Sequence, residues 1–291
     1  MTDQAERATP LFVLGTARSG TTWLANLLIS HSAIVGLAAR EHQGIHESHV
    51  FDHTRFALPG TMTPQAFVAR YAAEDYFTLA GVSPGEFCAA APAAGDAVDF
   101  FAALMDLVAR RAGARYWLEK TPKHAIYADL ILQRFPSARF VVIKRRFHDT
   151  MLSQMARFAN PRAGWVRQRL EKAFRYESDL RAIVRLERAA PDRTVVIAYE
   201  ALAEDPARET ARILRCLGLP EQRLASAFAA DSSFGGGRAR PKRMPFAERV
   251  VFAAGRAVCA LLPLRVLLRL RERRDRGEAR VFPKYQLLGR R

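Results

Sequence analysis

The run Gly15-Thr16-Ala17-Arg18-Ser19-Gly20-Thr21-Thr22-Trp23-Leu24 constrains this chain more than any other stretch. An apolar segment, Leu11-Phe12-Val13-Leu14, precedes it, and Leu24, Leu27 and Leu28 follow at helical spacing. The order reads strand, glycine-bounded loop, helix. Such a loop turns backbone N–H groups and the positive end of a helix dipole toward one point, where an anion, most often a phosphate, is stabilised. The spacing nearly matches the nucleoside-triphosphate loop G-x-x-x-x-G-K-[ST]. Gly15, Gly20 and Thr22 hold their positions, but Thr21 stands where the lysine belongs, and the basic residue comes earlier, at Arg18. The loop suits phosphate, with its cation arriving from another point.

Further apolar runs punctuate the chain. Tyr116-Trp117-Leu118, Phe140-Val141-Val142-Ile143 and Val195-Val196-Ile197 read as short strands, the latter two as strands buried on both faces of a parallel sheet. Helical patterns alternate with them: Thr22–His31, Ala97–Arg111, Tyr127–Phe135 stopped by Pro136, a long Arg/Glu-laced stretch to about Ala190, and Asp205–Leu217 ending at Gly218. Strands alternating with helices predict an α/β fold, three layers around a central parallel sheet. Ligands in that architecture lie beyond the carboxyl ends of the strands. The phosphate loop, Lys120 and Arg145 each follow a strand and can meet there. The segment Ser32–His53 has no clear period. It is rich in His, including His42, His46 and His49, for which solvated loop positions and a shared metal-binding helix face are both readings.

The three cysteines, Cys88, Cys216 and Cys259, are odd in number and far apart, which argues against a disulfide framework and for a reducing, cytoplasmic setting. The first ten residues carry Asp3 and Glu6 and no apolar core of a signal peptide. The longest apolar stretch, Val250 to Leu268, is interrupted by Arg256, Pro263 and Arg265, which argues against a spanning helix. The formal net charge is +16, and residues 236–291 hold 16 Lys or Arg against 4 Asp or Glu. Residues 10–235 are therefore expected to form the main domain, and 236–291 a basic helical extension packed on or extending it. Within the extension, 246–276 reads as one amphipathic helix with Phe252, Val258, Leu261, Leu262, Leu267 and Leu268 on its apolar side. Peripheral contact with the inner face of a membrane is one reading of it; a helix packed on the domain with its Arg on the wet face is the other.

Four segments together resemble the sulfotransferases that use 3′-phosphoadenosine 5′-phosphosulfate (PAPS). Gly15 through Leu24 resembles the family's 5′-phosphosulfate loop, and Glu119-Lys120-Thr121-Pro122-Lys123-His124 its Lys-Thr-Pro segment. Phe140 through Ser153 resembles its 3′-phosphate strand and helix. Tyr199-Glu200-Ala201-Leu202-Ala203-Glu204-Asp205-Pro206, running on to Leu217-Gly218-Leu219-Pro220, resembles its last nucleotide-side helix. The likeness covers about residues 10 to 220 and implies a P-loop NTPase-like fold, with PAPS as donor, adenosine 3′,5′-bisphosphate (PAP) as product and no metal. It places Arg18, Ser19, Gly20, Thr21 and Thr22 on the 5′-phosphosulfate, Trp23 on the adenine, Arg145 and Ser153 on the 3′-phosphate, and Tyr199 near the nucleotide. Lys120 and Arg18 become the electrostatic pair at the leaving oxygen. Where many members read Arg-Asp-Pro-x-Asp, this chain reads Arg145-Arg146-Phe147-His148-Asp149, so Lys144 or Arg146 could share the phosphate. Gly235-Gly236-Gly237-Arg238 is a loose match to the family's last nucleotide loop.

Cytosolic members of the family use a His two residues after the lysine of this segment; here that residue is Pro122. The resemblance is closer to the carbohydrate and tyrosyl-protein type, which uses a Glu downstream of the first loop. Glu41 fits that spacing best and Glu47 second. The expected acceptor is a hydroxyl on a sugar, lipid or other metabolite, with no role for nucleic acid. A P-loop kinase or NTPase would need the missing lysine and an acidic magnesium ligand. A basic module for membranes or nucleic acid would rest on the C-terminal charge alone.

Overall fold

The computed structural model describes residues 7–40, 43–52, 60–71, 76–158, 164–226 and 243–279. Five parallel strands form the central sheet: β1 (Thr9–Gly15), β2 (Ile34–Gly36), β5 (Tyr116–Glu119), β6 (Arg139–Lys144) and β7 (Thr194–Ala198), in the order β2-β5-β1-β6-β7. A two-stranded antiparallel ribbon, β3 (Ala38–Ala39) with β4 (Gly44–Ile45), stands beside it. The first helices are α1 (Thr21–Leu28), the single turn α2 (Val50–Asp52), α3 (Pro64–Tyr71), α4 (Tyr76–Ala80), α5 (Pro84–Ala90) and α6 (Ala97–Ala112). They are followed by α7 (Ala128–Arg134), α8 (Phe147–Phe158), α9 (Trp165–Ala189), α10 (Tyr199–Glu204), α11 (Pro206–Cys216), α12 (Phe246–Leu261) and α13 (Leu264–Ala279).

The central strands β1 and β6 are apolar through their middles, Leu11–Leu14 and Phe140–Ile143, because both their faces are covered. Phe12 and Leu14 of β1, with Phe140 and Val142 of β6, point into a core that holds Phe100, Leu104 and Trp117. Leu11, Val13, Val141 and Ile143 point the other way, against Leu24 and Leu28 of α1 and Ile213 and Leu214 of α11. Alternation along each strand thus feeds two cores, which is the three-layer arrangement expected. Local signals set the helix ends. Asp96 caps α6 reciprocally with Asp99, and Gly113 closes it in the left-handed conformation; Asp205 caps α11 ahead of Pro206.

The C-terminal part departs from the single helix read in the sequence. It forms two helices that meet at 117°, α12 and α13, with Pro263 at the break. Proline lacks the N–H that would continue the ladder and clashes with the preceding turn. Arg181 of α9 donates to the carbonyls of Cys259 and Leu262 at 2.7 and 2.8 Å, satisfying the open end of α12. The expected apolar side is divided as well: Phe252 and Leu267 are buried, whereas Val258 and Leu261 are exposed. Phe252 packs on Phe147 of α8 in a third, smaller core with Tyr176 of α9. On α13 the polar residues Arg271 and Asp275 are the buried ones, facing Asp179 of α9 at 3.2 Å from Arg271.

Candidate active site

The strand register brings the site together. Gly15 lies beside Ile143, Phe12 beside Glu119, and Lys144 beside Ala198, so the residues that follow β1, β5, β6 and β7 emerge at one edge of the sheet. The loop after β1 is shaped by two glycines. A Cβ on Gly15 would lie 2.7 Å from the carbonyl oxygen of Ile143, so the backbones approach too closely for any side chain. Gly20 has φ 102°, and a Cβ there would meet the Tyr199 ring at 2.6 Å. Gly20→Ala should therefore lower stability by about 1–3 kcal/mol, read as a fall in melting temperature, and weaken nucleotide binding. Arg18 adopts φ 69°, which a residue with a Cβ rarely does. Neighbours hold it there: Arg145 Nη1 donates to the Arg18 carbonyl at 3.1 Å, Gln154 Nε2 to the Ala17 carbonyl at 2.9 Å, and Arg18 Nε to Ser153 Oγ at 3.3 Å.

The loop opens onto a cavity of about 200 Å³ lined by Arg18, Thr22, Glu47, Arg145, Phe158 and Tyr199, among others. Gly20 precedes α1 with no side chain capping the helix. Of the six buried polar side-chain atoms that lack a hydrogen-bond partner among the described residues, two belong to the loop and the arginine that bonds it, Ser19 Oγ and Arg145 Nε. The Arg145 guanidinium lies 4.1 Å over the Tyr199 ring. Buried donors without partners are costly in a finished fold, and here they flank the cavity of an anion loop. These features fit a nucleotide whose phosphates would complete them. Lys144 and Arg146, the other candidates for the 3′-phosphate, are engaged elsewhere, with Glu187 at 2.6 Å and with Asp149 at 3.0 Å.

Lys120 is nearly buried and its Nζ contacts Glu47 Oε1 at 2.5 Å and Thr22 Oγ1 at 3.1 Å. A buried ammonium needs such partners. The Glu47 side chain is 39% exposed, and it reaches the cavity. Burial pushes the Glu47 carboxyl up, but Lys120 and His49 outweigh it and hold the group below the usual carboxylate range. Behind this pair lies a buried support. Glu119 accepts from Ser48 Oγ at 2.7 Å, Thr121 Oγ1 at 2.6 Å and the His124 ring at 2.9 Å. Burial opposes its ionisation, yet His124 and these donors lower its pKa to about 2. One carboxylate thereby ties the segment carrying Glu47 to the segment carrying Lys120. Asp52 is also held low: burial is outweighed by His49 and Lys123, with Lys123 Nζ at 3.3 Å. Lys123 in turn lies 3.4 Å from Asp275, which pairs with Arg271 at 3.1 Å. Arg271 completes the chain at Asp179, whose pKa is raised to about 6 by burial, against the pull of Arg271 and with Asp275 adding to the rise.

Of the residues singled out in the sequence, Arg18, Gly20, Thr21, Thr22, Arg145 and Tyr199 line the cavity, Lys120 adjoins it through Thr22 and Glu47, and Ser153 reaches it through Arg18. Trp23 packs edge-on to Tyr199, with ring centroids 5.8 Å apart, against the core. Glu41, His42, His53 and the loop at Gly235-Gly236-Gly237 lie outside the described residues. The segment of His42, His46 and His49 is not helical over its described part. His46 is buried against Tyr76, and His49 faces Glu47 at 3.6 Å and Asp52 at 3.4 Å, so neither is a solvated loop side chain. Among the described residues no group of three His, Cys, Asp or Glu is arranged to hold a metal ion. The supporting roles of Glu119 and Asp275 do not follow from the sequence patterns. An acid closing an otherwise apolar strand, Tyr116-Trp117-Leu118-Glu119, marks only the position of the first.

A profile described as the sulfotransferase family matches residues 10–223. The chain belongs to the sulfotransferase family. No curated protein matches it at a significant level. Among solved structures, the sulfotransferase domain of the Synechococcus PCC 7002 olefin synthase is 18% identical with a TM-score of 0.53, over 90% of this chain and 99% of that one. A sulfotransferase from Alicyclobacillus acidocaldarius is 15% identical with a TM-score of 0.50, over 86% and 92%. A sulfotransferase domain from the curacin biosynthetic pathway is 16% identical with a TM-score of 0.50, over 74% and 75%. At such identities the likeness is one of fold, and it matches the central parallel sheet and its flanking helices. The four segments of this sulfotransferase that carry its motifs all fall inside the matched range.

Proposed function

We propose that this sulfotransferase moves the sulfuryl group of PAPS to a hydroxyl of a sugar, lipid or other metabolite, with Glu47 as the base. The observation that supports this best is the Glu47–Lys120 contact of 2.5 Å at a cavity also lined by Arg18 and Thr22. A carboxylate, an ammonium and a guanidinium thus converge where an in-line displacement needs one proton acceptor and two positive charges. When bound, PAPS supplies an activated sulfuryl group on a phosphate leaving group. Arg18, Ser19, Thr21 and Thr22 would hold the phosphosulfate end, and Arg145 and Ser153 the 3′-phosphate, with the forked donors of Arg145 suited to the task. Glu47 takes the proton of the acceptor hydroxyl as its oxygen bonds to sulfur. Lys120 and Arg18 offset the charge that develops on the departing oxygen. The three cysteines are free thiols, in keeping with a reducing cytoplasmic setting.

The test is a thermal-shift series. PAP should raise the melting temperature in a concentration-dependent way, since a ligand that binds only the folded chain stabilises it by mass action. ATP with Mg²⁺ and a structured RNA should each have little effect. A shift with ATP–Mg²⁺ alone would replace this reading with that of a kinase or NTPase.

A further inference from the structure

α12 carries an apolar stripe turned away from the protein. Phe246, Val250, Val258 and Leu261 are 78%, 51%, 61% and 85% exposed, and at 3.6 residues per turn they share an arc of roughly 120°. The opposite face, with Phe252, Gly255 and Cys259, is the one buried against the fold. Arg249 is the one charged residue among the exposed positions of α12. On α13 the exposed side includes Val266 and Leu270 beside Arg265, Arg269, Arg273 and Arg276, and of the acids with described side chains Asp275 is buried and Glu272 half-buried. The buried acid of that helix, Asp275, is consumed by Arg271 and Lys123. Monomeric soluble proteins rarely expose a contiguous apolar surface edged by charge of one sign without a use for it.

We propose that the α12–α13 surface docks on an anionic lipid bilayer, with the α12 stripe in the headgroup–acyl boundary and the α13 arginines on lipid phosphates. Each helix has 16 residues, short of the ~20 needed to span a bilayer, and the two meet at 117°, a geometry for lying on a membrane. Charge complementarity selects the occupant. An anionic surface satisfies apolar burial and the arginine row together. A second copy paired face to face would bring its own arginine row against this one. Residues 280–291, with Arg280, Lys284, Arg290 and Arg291 and no acid, carry the same sign. Phe158, which lines the cavity and is half-exposed, lies under Lys172 of α9 at 5.2 Å, and α9 is the helix along which α12 packs. A membrane-bound enzyme would thus present its site close to hydroxyls at the lipid surface.

The experiment is co-sedimentation of the full chain with phosphatidylcholine vesicles, with and without about a third phosphatidylglycerol. Binding is expected only to the anionic vesicles and should weaken with salt. The double variant V258E/L261E and the double variant R265E/R269E should each lower partitioning by roughly tenfold or more. Both should keep the PAP-induced melting shift, which shows that they fold and separates this test from the reading of the site. Three results would overturn the proposal. One is equal, negligible sedimentation with both vesicle types. Another is a dimer in light scattering that Leu261→Glu dissociates. The third is binding that emerges only when residues 280–291 are deleted.

Discussion

Lys120→Ala should lower sulfuryl transfer by about two to three orders of magnitude, the loss typical when one preorganised charge at a developing anion is removed. The variant should still fold, because Glu47, left without its ammonium, is 39% exposed and can be hydrated. Single-turnover release of PAP from PAPS, with an acceptor found in a donor-loaded screen of sugars and lipids, gives the rate; thermal unfolding gives the control. The site has one buried lysine on Glu47 and a guanidinium, Arg18, across the loop, fixed by Ser153 at 3.3 Å. Neither occupies the lysine position of a nucleoside-triphosphate loop; in the proposed mechanism the charge at the leaving oxygen comes from the segments that follow two different strands, β1 and β5. Ordinary turnover in Lys120→Ala would remove this residue from the mechanism.

Glu47→Gln should be the second large loss, about two to four orders of magnitude in turnover, with the PAP-induced melting shift intact. Glu41→Gln, the variant favoured by sequence spacing, should remain active by comparison. If their order is reversed, the base is Glu41. The pH profile adds a separate check. Glu47 must be ionised to accept a proton, and Lys120 and His49 keep its pKa below the ordinary carboxylate value. The acid limb of kcat/KM, which reports the free enzyme, should therefore fall below the usual carboxylate range. Drawing Lys120 away from Glu47 toward the donor weakens the ion pair, so the acid limb of kcat should lie at higher pH than that of kcat/KM. Coincident limbs would mean that Lys120 does not leave Glu47 on binding.

Much of this was legible in the sequence because it is written in local patterns. β1, β6 and β7 are built around the apolar runs Leu11–Leu14, Phe140–Ile143 and Val195–Ile197, and the loop between Gly15 and Gly20 has the spacing of a phosphate loop. The segment between Ser32 and His53 resisted reading for a physical reason. Its strands β2, β3 and β4 are only three, two and two residues long, too short to show a period, and β2 is fixed by β5, far away in the chain. Glu47 and Lys120 are separated by 73 positions, and the contact between them depends on Glu119 gathering Ser48, Thr121 and His124. The C-terminal helices misled for the opposite reason. Helical periodicity puts leucines inward and arginines outward by default. Here Asp179 and Lys123 face α13, so Arg271 and Asp275 are drawn inside and part of the apolar set is left outside.

Lys123 divides its ammonium between Asp52, which also holds His49 beside Glu47, and Asp275 of α13. The family profile ends at residue 223, yet the ionic chain around Glu47 runs on to residue 275. The tail and the site are therefore linked by a chain of ionic contacts. A substitution at Arg271 or Asp275 alters what Lys123 must neutralise, and so the field in which Glu47 works. A substitution on α13, a helix absent from the cavity lining among the described residues, would thus shift the charge balance beside Glu47.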